Sequence, residues 1–208
     1  MKRLAILGAS GHGKVAADIA EVSGWDEVVF FDDAWPEIKA NSVWPIKGNT
    51  ENLLDSIQNY DGVFVAIGNN EIRLSKLNLF KPKNIPLPSI IHPQAIISRY
   101  AKIDDACVIC AGVVVNADVT IGFGSILNTG CSVDHDCVLA DAVHVSPGAR
   151  LSGGTQIGQC AWVGIGAVTR QLITVGSNAV IGAGSVVVKD VAPNTVVIGN
   201  PAKILERK

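Results

Sequence analysis

His135 stands between Asp134 and Asp136. An imidazole is the usual side chain for taking a proton near neutral pH. A neighbouring carboxylate can hold its tautomer and raise its basicity. Such a base suits acyl transfer to an amine or hydroxyl, where the attacking group must lose a proton. That chemistry also needs a donor to the oxyanion that forms on the acyl carbonyl. A second histidine, His144, follows in the same stretch. Near the N-terminus, Gly8-Ala-Ser-Gly-His-Gly13 reads either as an anion-binding loop or as a tight turn. Its spacing is neither GxGxxG nor GxxxxGK[ST]. Asp32-Asp33 reads either as a pair that binds a ribose hydroxyl or base edge, or as a cap.

The elements that must position these groups fall into two grammars. Over residues 1–80, apolar strands at Leu4–Leu7, Val28–Phe31 and Val63–Ile67 alternate with helical patterns. One helix is expected over Lys14–Ser23, with Val15, Ile19 and Val22 on its apolar face. A weaker one covers about 51–58, and a third runs through Arg73. This order predicts a small parallel sheet with right-handed crossovers. Ligands then sit at the carboxyl ends of the strands. The glycine-rich loop, Asp32-Asp33 and Gly68-Asn-Asn70 all fall at those ends. Pro82, Pro86, Pro88 and Pro93 mark residues 81–96 as a linker.

From Ile97 every sixth residue is Val, Ile or Leu as far as Val187, with Thr169 the one exception. The position four residues further on is small or β-branched throughout. A period of six over about 90 residues is a solenoid and not a helix, whose period is 3.6. The expected fold is therefore an α/β N-terminal domain followed, over 97–192, by a left-handed parallel β-helix. Three hexads make one coil, about five coils are expected, and 193–208 form a tail. Gly122, Gly158, Gly176 and Gly182 are expected to supply the special backbone angles of the corners. Thr169 with Gln171-Leu172 is expected to form a bulge or shallow loop.

A coil of 18 residues places Gly153 beside His135, about one strand spacing away. Gly153 opens a Gly-Gly pair, so its N–H is a candidate oxyanion donor. His144 lies half a coil from His135 and should face away from it. Both serve one site only if they come from neighbouring subunits, most simply in a cyclic trimer.

Composition narrows the partners. Charged residues make up 17% and the net charge is −2, so no basic footprint points to nucleic acid or an anionic membrane. No apolar run of about 18 residues occurs, and the first residues do not read as a signal peptide, so the cytosol is the expected compartment. Cys107, Cys110, Cys131, Cys137 and Cys160 are odd in number and read as small core side chains, not a disulfide framework.

Taken together, GASGHG, the strand-end DD, the AIGNNEIR segment, the hexapeptide solenoid, the NTG…VDHDC…HVSPGA stretch and the closing IGNPAK resemble the bacterial nucleotide-sugar and sialic acid acetyltransferase family. The likeness is strongest to N-acetyltransferases of UDP-4-amino-4,6-dideoxy sugars and spans essentially the whole chain. It implies that His135 is the proton acceptor, Asp136 raises its basicity and the Gly153 N–H meets the thioester oxygen. It implies that His144, Ile165 and Ala183 contact acetyl-CoA, although the family often has Gly at the last. Ser10, Gly11 and His12 match the sugar-nucleotide loop, Asp32 and Asp33 the nucleotide-reading pair, Gly68 a further substrate contact, and Asn128 a polar residue near the acceptor. The NPAK stretch matches an element near CoA, and no metal is implied. The expected activity is acetyl transfer from acetyl-CoA to the amine of a nucleotide-linked sugar, UDP first. O-acetylation on the same scaffold is the alternative. A zinc-dependent solenoid hydratase would need three histidines, and the repeat offers only His135 and His144.

Overall fold

The computed structural model describes residues 1–206. The chain divides into two compact units that meet between Pro93 and Gln94. Of the expected tail, residues 207 and 208 lie outside the described residues.

The first unit is built on three parallel strands, β1 (Arg3–Leu7), β2 (Glu27–Phe31) and a third at Gly62–Val65, in the order β2-β1-third. Leu4 to Leu7, Val28 to Phe31 and Val63 to Val65 are all buried. Continuous apolar runs of this kind suit strands covered on both faces. Helix α1 (Gly11–Val22) begins directly at the glycine-rich loop, with Ser10 at its N-cap. Its buried stripe is Ala16, Ala17, Ile19 and Ala20, whereas Val15 and Val22 are exposed. Small alanines let the helix lie close to the sheet, a pattern that weighting by large apolar residues overlooks. Helix α2 (Thr50–Asp55) precedes the third strand, and α3 (Asn70–Phe80) follows it. The last helix runs past Arg73 because Leu77 and Phe80 continue its buried face. A short antiparallel hairpin, Ala40–Asn41 with Trp44–Pro45, has no counterpart in the sequence reading.

The second unit is a parallel β-helix. Two-residue strands recur every six residues from Ile96–Ile97 to Val186–Val187 and pair with strands one coil away. On one face Val114 pairs with Ser132 and Ser132 with Arg150. On the second, Thr120 pairs with Val138 and Val138 with Gln156. On the third, Ile126 pairs with His144 and His144 with Trp162. The aliphatic hexad positions fill the interior, as do Cys107, Val113, Val119, Ser125, Cys131, Cys137, Val143 and Thr155. Burial pushes the Cys110 thiol up to about 11 and the Cys131 thiol up to about 12, so both are packing groups at neutral pH. The column opened by Ile96–Ile97 holds six strands and the one opened by Lys102–Ile103 five, since the hexads from Ile97 to Val187 make five coils and one further face. Past residue 192, Val196–Ile198 lies parallel to Val180–Ile181 and then turns back antiparallel onto Lys203–Ile204.

Two expectations about the repeat need correction. The left-handed residues of the corners do not include Gly122, Gly158, Gly176 or Gly182. They recur every six residues from Ala106 through Asp118, Gly124, Gly130, Asp136 and Gly154 to Gly184. Gly122 and Gly182 instead sit where a Cβ would strike the next coil, at 2.6 Å from the Ala140 carbonyl carbon and 2.6 Å from Ile198 Cγ2. Thr169 makes neither bulge nor loop. It ends the two-residue strand Val168–Thr169, is buried, and satisfies its hydroxyl inside the prism.

Candidate active site

His135 is carried on the corner that follows the strand Ser132–Val133. Its neighbour Asp136 is the left-handed residue of that corner, φ 59°, a conformation short polar side chains tolerate. The bend brings Asp136 Oδ2 to 2.7 Å from His135 Nδ1. Asp134 Oδ1 accepts from the His135 N–H at 2.9 Å and from Asn116 Nδ2, one coil back, at 2.8 Å. The bond to Asp136 first, and the charge of Asp134 next, hold the exposed imidazole above its ordinary value. A carboxylate on Nδ1 makes that nitrogen the N–H donor and leaves the Nε2 lone pair free to take a proton.

Gly153 lies beneath this ring. A Cβ there would stand 2.6 Å from His135 Cε1 and 2.7 Å from Nε2. Glycine is therefore demanded by the close approach of the histidine and not by a left-handed backbone. The Gly154 N–H bonds the His135 carbonyl at 2.9 Å and locks the two coils together. Among the described residues nothing accepts from the Gly153 N–H. His135 and Gly153 thus meet, as the 18-residue spacing led us to expect.

His144 stands on a different face, in the strand His144–Val145. It is buried beneath Trp162, one coil on, with ring centroids 4.7 Å apart and planes 25° from parallel. Trp162 Nε1 donates to Ser146 Oγ at 2.7 Å. Asn128 Nδ2 lies 3.4 Å from His144 Nε2, so within one chain Asn128 accompanies His144 and not His135. The Trp162 stack escaped the sequence reading, although the same step of 18 residues would have found it. Ile165 and Ala183, also 18 residues apart, are exposed. They occupy the same register in successive coils, and the Gly184 N–H bonds the Ile165 carbonyl at 2.8 Å.

In the first unit, Ser10, Asp32, Asp33 and Gly68 line one cavity of about 230 Å³, with Leu7, Gly8, Ala66 and Ile67. Gly11 and His12 continue from it into the first turn of α1. Both aspartates also have backbone duties. Asp32 accepts from the Ala9 N–H at 2.7 Å and the Ala34 N–H at 2.9 Å, tying the glycine-rich loop to the end of β2. Asp33 accepts from the Thr50 N–H at 2.9 Å and Lys76 Nζ at 2.8 Å. Burial alone would raise its carboxyl, but the bonds from Lys76 and Thr50 outweigh that and hold it at about 2. Burial, with the Arg73 charge beside it, lowers the His12 imidazole to about 4, so it is neutral at pH 7. Its Nε2 is buried without a hydrogen-bond partner.

Arg73 is the residue sequence reasoning missed. It is fully buried and donates to the Ile67 and Gly68 carbonyls at 2.9 and 3.2 Å and to Asn70 Oδ1 at 2.9 Å. It fixes the loop that carries Gly68. The available signal was an arginine four and seven residues ahead of the apolar stripe positions Leu77 and Phe80. Among the described residues no group of three His, Cys, Asp or Glu is placed to hold a metal.

Known proteins bear on both units. Residues 3–80 match the family described as the PglD N-terminal domain. The chain is 29% identical over its full length to GDP-perosamine N-acetyltransferase of Escherichia coli O157:H7, covering 98% of that protein. Among solved structures, a mutant of perosamine N-acetyltransferase from Caulobacter crescentus, in complex with CoA and GDP-perosamine, superposes with a TM-score of 0.95 at 34% identity. That match covers 100% of this chain and 98% of the other. The acetyltransferase domain of PglB from Neisseria gonorrhoeae, in complex with acetyl coenzyme A, gives 0.94 at 42% identity, covering 98% and 99%.

Proposed function

The chain belongs to the bacterial nucleotide-sugar N-acetyltransferases built on the hexapeptide-repeat β-helix, and from that premise we propose that it moves the acetyl group of acetyl-CoA onto the amine of a nucleotide-linked 4-amino-4,6-dideoxy sugar. The observation that carries the reading is the His135 ring lying on Gly153 with Asp136 on its Nδ1. The sugar amine attacks the thioester carbonyl. His135 Nε2 takes the proton that the amine sheds, and the Gly153 N–H meets the oxyanion. Collapse of that intermediate forms the amide and releases CoA as the thiolate, which is reprotonated. No metal takes part in these steps.

Residues 1–80 hold the sugar nucleotide through Ser10, Gly11, His12, Asp32, Asp33 and Gly68. The β-helix over 97–192 holds acetyl-CoA along His144, Ile165 and Ala183, with Asn128 near the acceptor. The half-coil between His135 and His144 supports a homotrimer with sites between subunits, and the assembly is cytoplasmic. For the nucleotide we take uridine, following the resemblance. Guanosine is the second reading, favoured by the two perosamine acetyltransferases whose sugar nucleotide is named.

The test is CoA release from acetyl-CoA with a panel of UDP-, GDP-, dTDP- and CMP-linked sugars. An aminosugar nucleotide should be turned over. In His135→Ala, kcat should fall by about 10²- to 10⁴-fold while binding of that nucleotide survives. Turnover only of hydroxyl acceptors would sink N-acetylation, and an undiminished kcat would remove His135 from its role.

A further inference from the structure

One rung of the β-helix is wired differently from the others, and it lies directly under Gly153. From Ser98 to Arg170, the N–H of every sixth residue donates to a backbone carbonyl one coil on, as Asp134 does to Leu151 at 2.9 Å and Arg170 to Val187 at 2.8 Å. Ser152 breaks the series. Its N–H turns to Thr169 Oγ1 at 3.1 Å, and the Thr169 carbonyl is taken by Ser152 Oγ at 2.7 Å. The register of this pair of strands accordingly keeps Arg150 with Val168 but drops the rung that follows.

The Ser152 carbonyl is held just as firmly. It accepts from Thr155 Oγ1 at 2.6 Å, from the Thr155 N–H at 3.3 Å and from Cys137 Sγ at 3.3 Å. Thr155 Oγ1 lies 3.1 Å from Thr169 Oγ1. Since the Thr155 proton goes to the Ser152 carbonyl, the Thr169 hydroxyl donates to Thr155 and accepts from the Ser152 N–H. Every hydroxyl in this buried group is then satisfied. A trans peptide points its C=O and N–H in opposite directions. The Thr155 N–H bond is the common one of the repeat, as from Ala149 to Ser146 and from Ala161 to Gly158, whereas the bond from Thr155 Oγ1 is added here and holds the Ser152–Gly153 peptide, whose N–H points away from that carbonyl.

We propose that Thr169 is a positioning residue, whose hydroxyl anchors Thr155 Oγ1 on the Ser152 carbonyl so that the Ser152–Gly153 peptide presents the Gly153 N–H to the acyl oxygen. This inference rests on the acetyl-transfer reading above. It explains why the one hexad without an aliphatic residue stands where it does. A valine there would fill the position in the manner of its fifteen counterparts. It would also let the Ser152 N–H resume the common rung to the carbonyl of residue 169 and leave Thr155 Oγ1 without its donor, so the Ser152–Gly153 peptide would lose that hold.

Thr169→Val, Thr169→Ser and Thr155→Val decide the matter, each compared with wild type for Tm, kcat and both KM values on the accepted sugar nucleotide. Thr169→Val should melt at or above the wild-type temperature and keep both KM values. Its kcat should fall by about 10- to 100-fold, a share of what loss of one oxyanion donor costs. Thr169→Ser keeps the hydroxyl and should hold kcat within about threefold, while Thr155→Val should behave as Thr169→Val does. Unchanged kcat in Thr169→Val overturns the proposal, as does a serine variant as slow as the valine one. A crystal structure of Thr169→Val with the Ser152–Gly153 peptide unmoved overturns it without reference to activity. A wild-type protein that acetylates no member of the panel refutes the acetyl-transfer reading itself, which that structure would leave untouched.

Discussion

The two units hold their polar groups by opposite means. In the β-helix, position is arithmetic: His135 meets Gly153, His144 meets Trp162 and Asn116 meets Asp134, each pair 18 residues apart. In the α/β unit each group has a private partner that no period foretells. Asp32 is held by Ala9, Asp33 by Lys76, and the loop at Gly68 by Arg73. Repetition writes geometry into the sequence, whereas single contacts must be found in three dimensions. The difference also bears on failure. A substitution in the prism acts on the coil above or below it, while one in the α/β unit releases a whole loop.

The sharpest way to break this comparison is Gly153→Ala. The added Cβ enters the His135 ring, so kcat should drop by about 100-fold with sugar-nucleotide affinity unchanged. Steady-state kinetics with a binding titration read both, and a kcat near wild type would mean that the two coils give way. Arg73→Met tests the other unit. It removes charged hydrogen bonds to two carbonyls and should cost about 2 kcal/mol in chemical denaturation. Sugar-nucleotide binding should weaken and acetyl-CoA binding hold. Equal loss of both would show that the units do not fail separately.

The smallest effect belongs to Asp136→Asn. The bond from Asp136, then the charge of Asp134, keeps the His135 imidazole above its ordinary value. A base must be neutral to act, so the acid limb of kcat/KM lies above that value in wild type. The asparagine variant lowers the imidazole pKa, which moves the limb to lower pH, and the weaker base should reduce the plateau by about tenfold. A limb that stays in place would detach Asp136 from the base.

What the sequence made legible follows the same division. The period of six located the strands, and the step of 18 residues paired His135 with Gly153. The same step leads from His144 to Trp162, with which it stacks. The corner glycines were misread because sequence does not distinguish a glycine needed for φ from one needed for contact. The left-handed corner in fact lies two residues after Gly122 and is occupied by residues as different as Asp136, Cys160 and Leu172. Thr169 was recognised as irregular, but its consequence depends on hydroxyl directions inside the prism. In the α/β unit the strand-end loops were placed together correctly at one cavity. Their internal fastening is not legible, because Lys76 lies past the end the pattern gives its helix, and nothing in the spacing marks Arg73 as buried.

The final turn of the chain has a bearing beyond the site. A stack of parallel rungs is in principle endless, since its open end presents the same donors and acceptors that each coil offers the next. Here Val196–Ile198 is the last parallel rung on its face, and the chain folds back on it through Lys203–Ile204. Among the described residues, the outermost strand of that face is two residues long and carries a lysine, a poor template for another copy. That face is thereby blunted, and removing residues 200–206 would uncover the Val196–Ile198 rung.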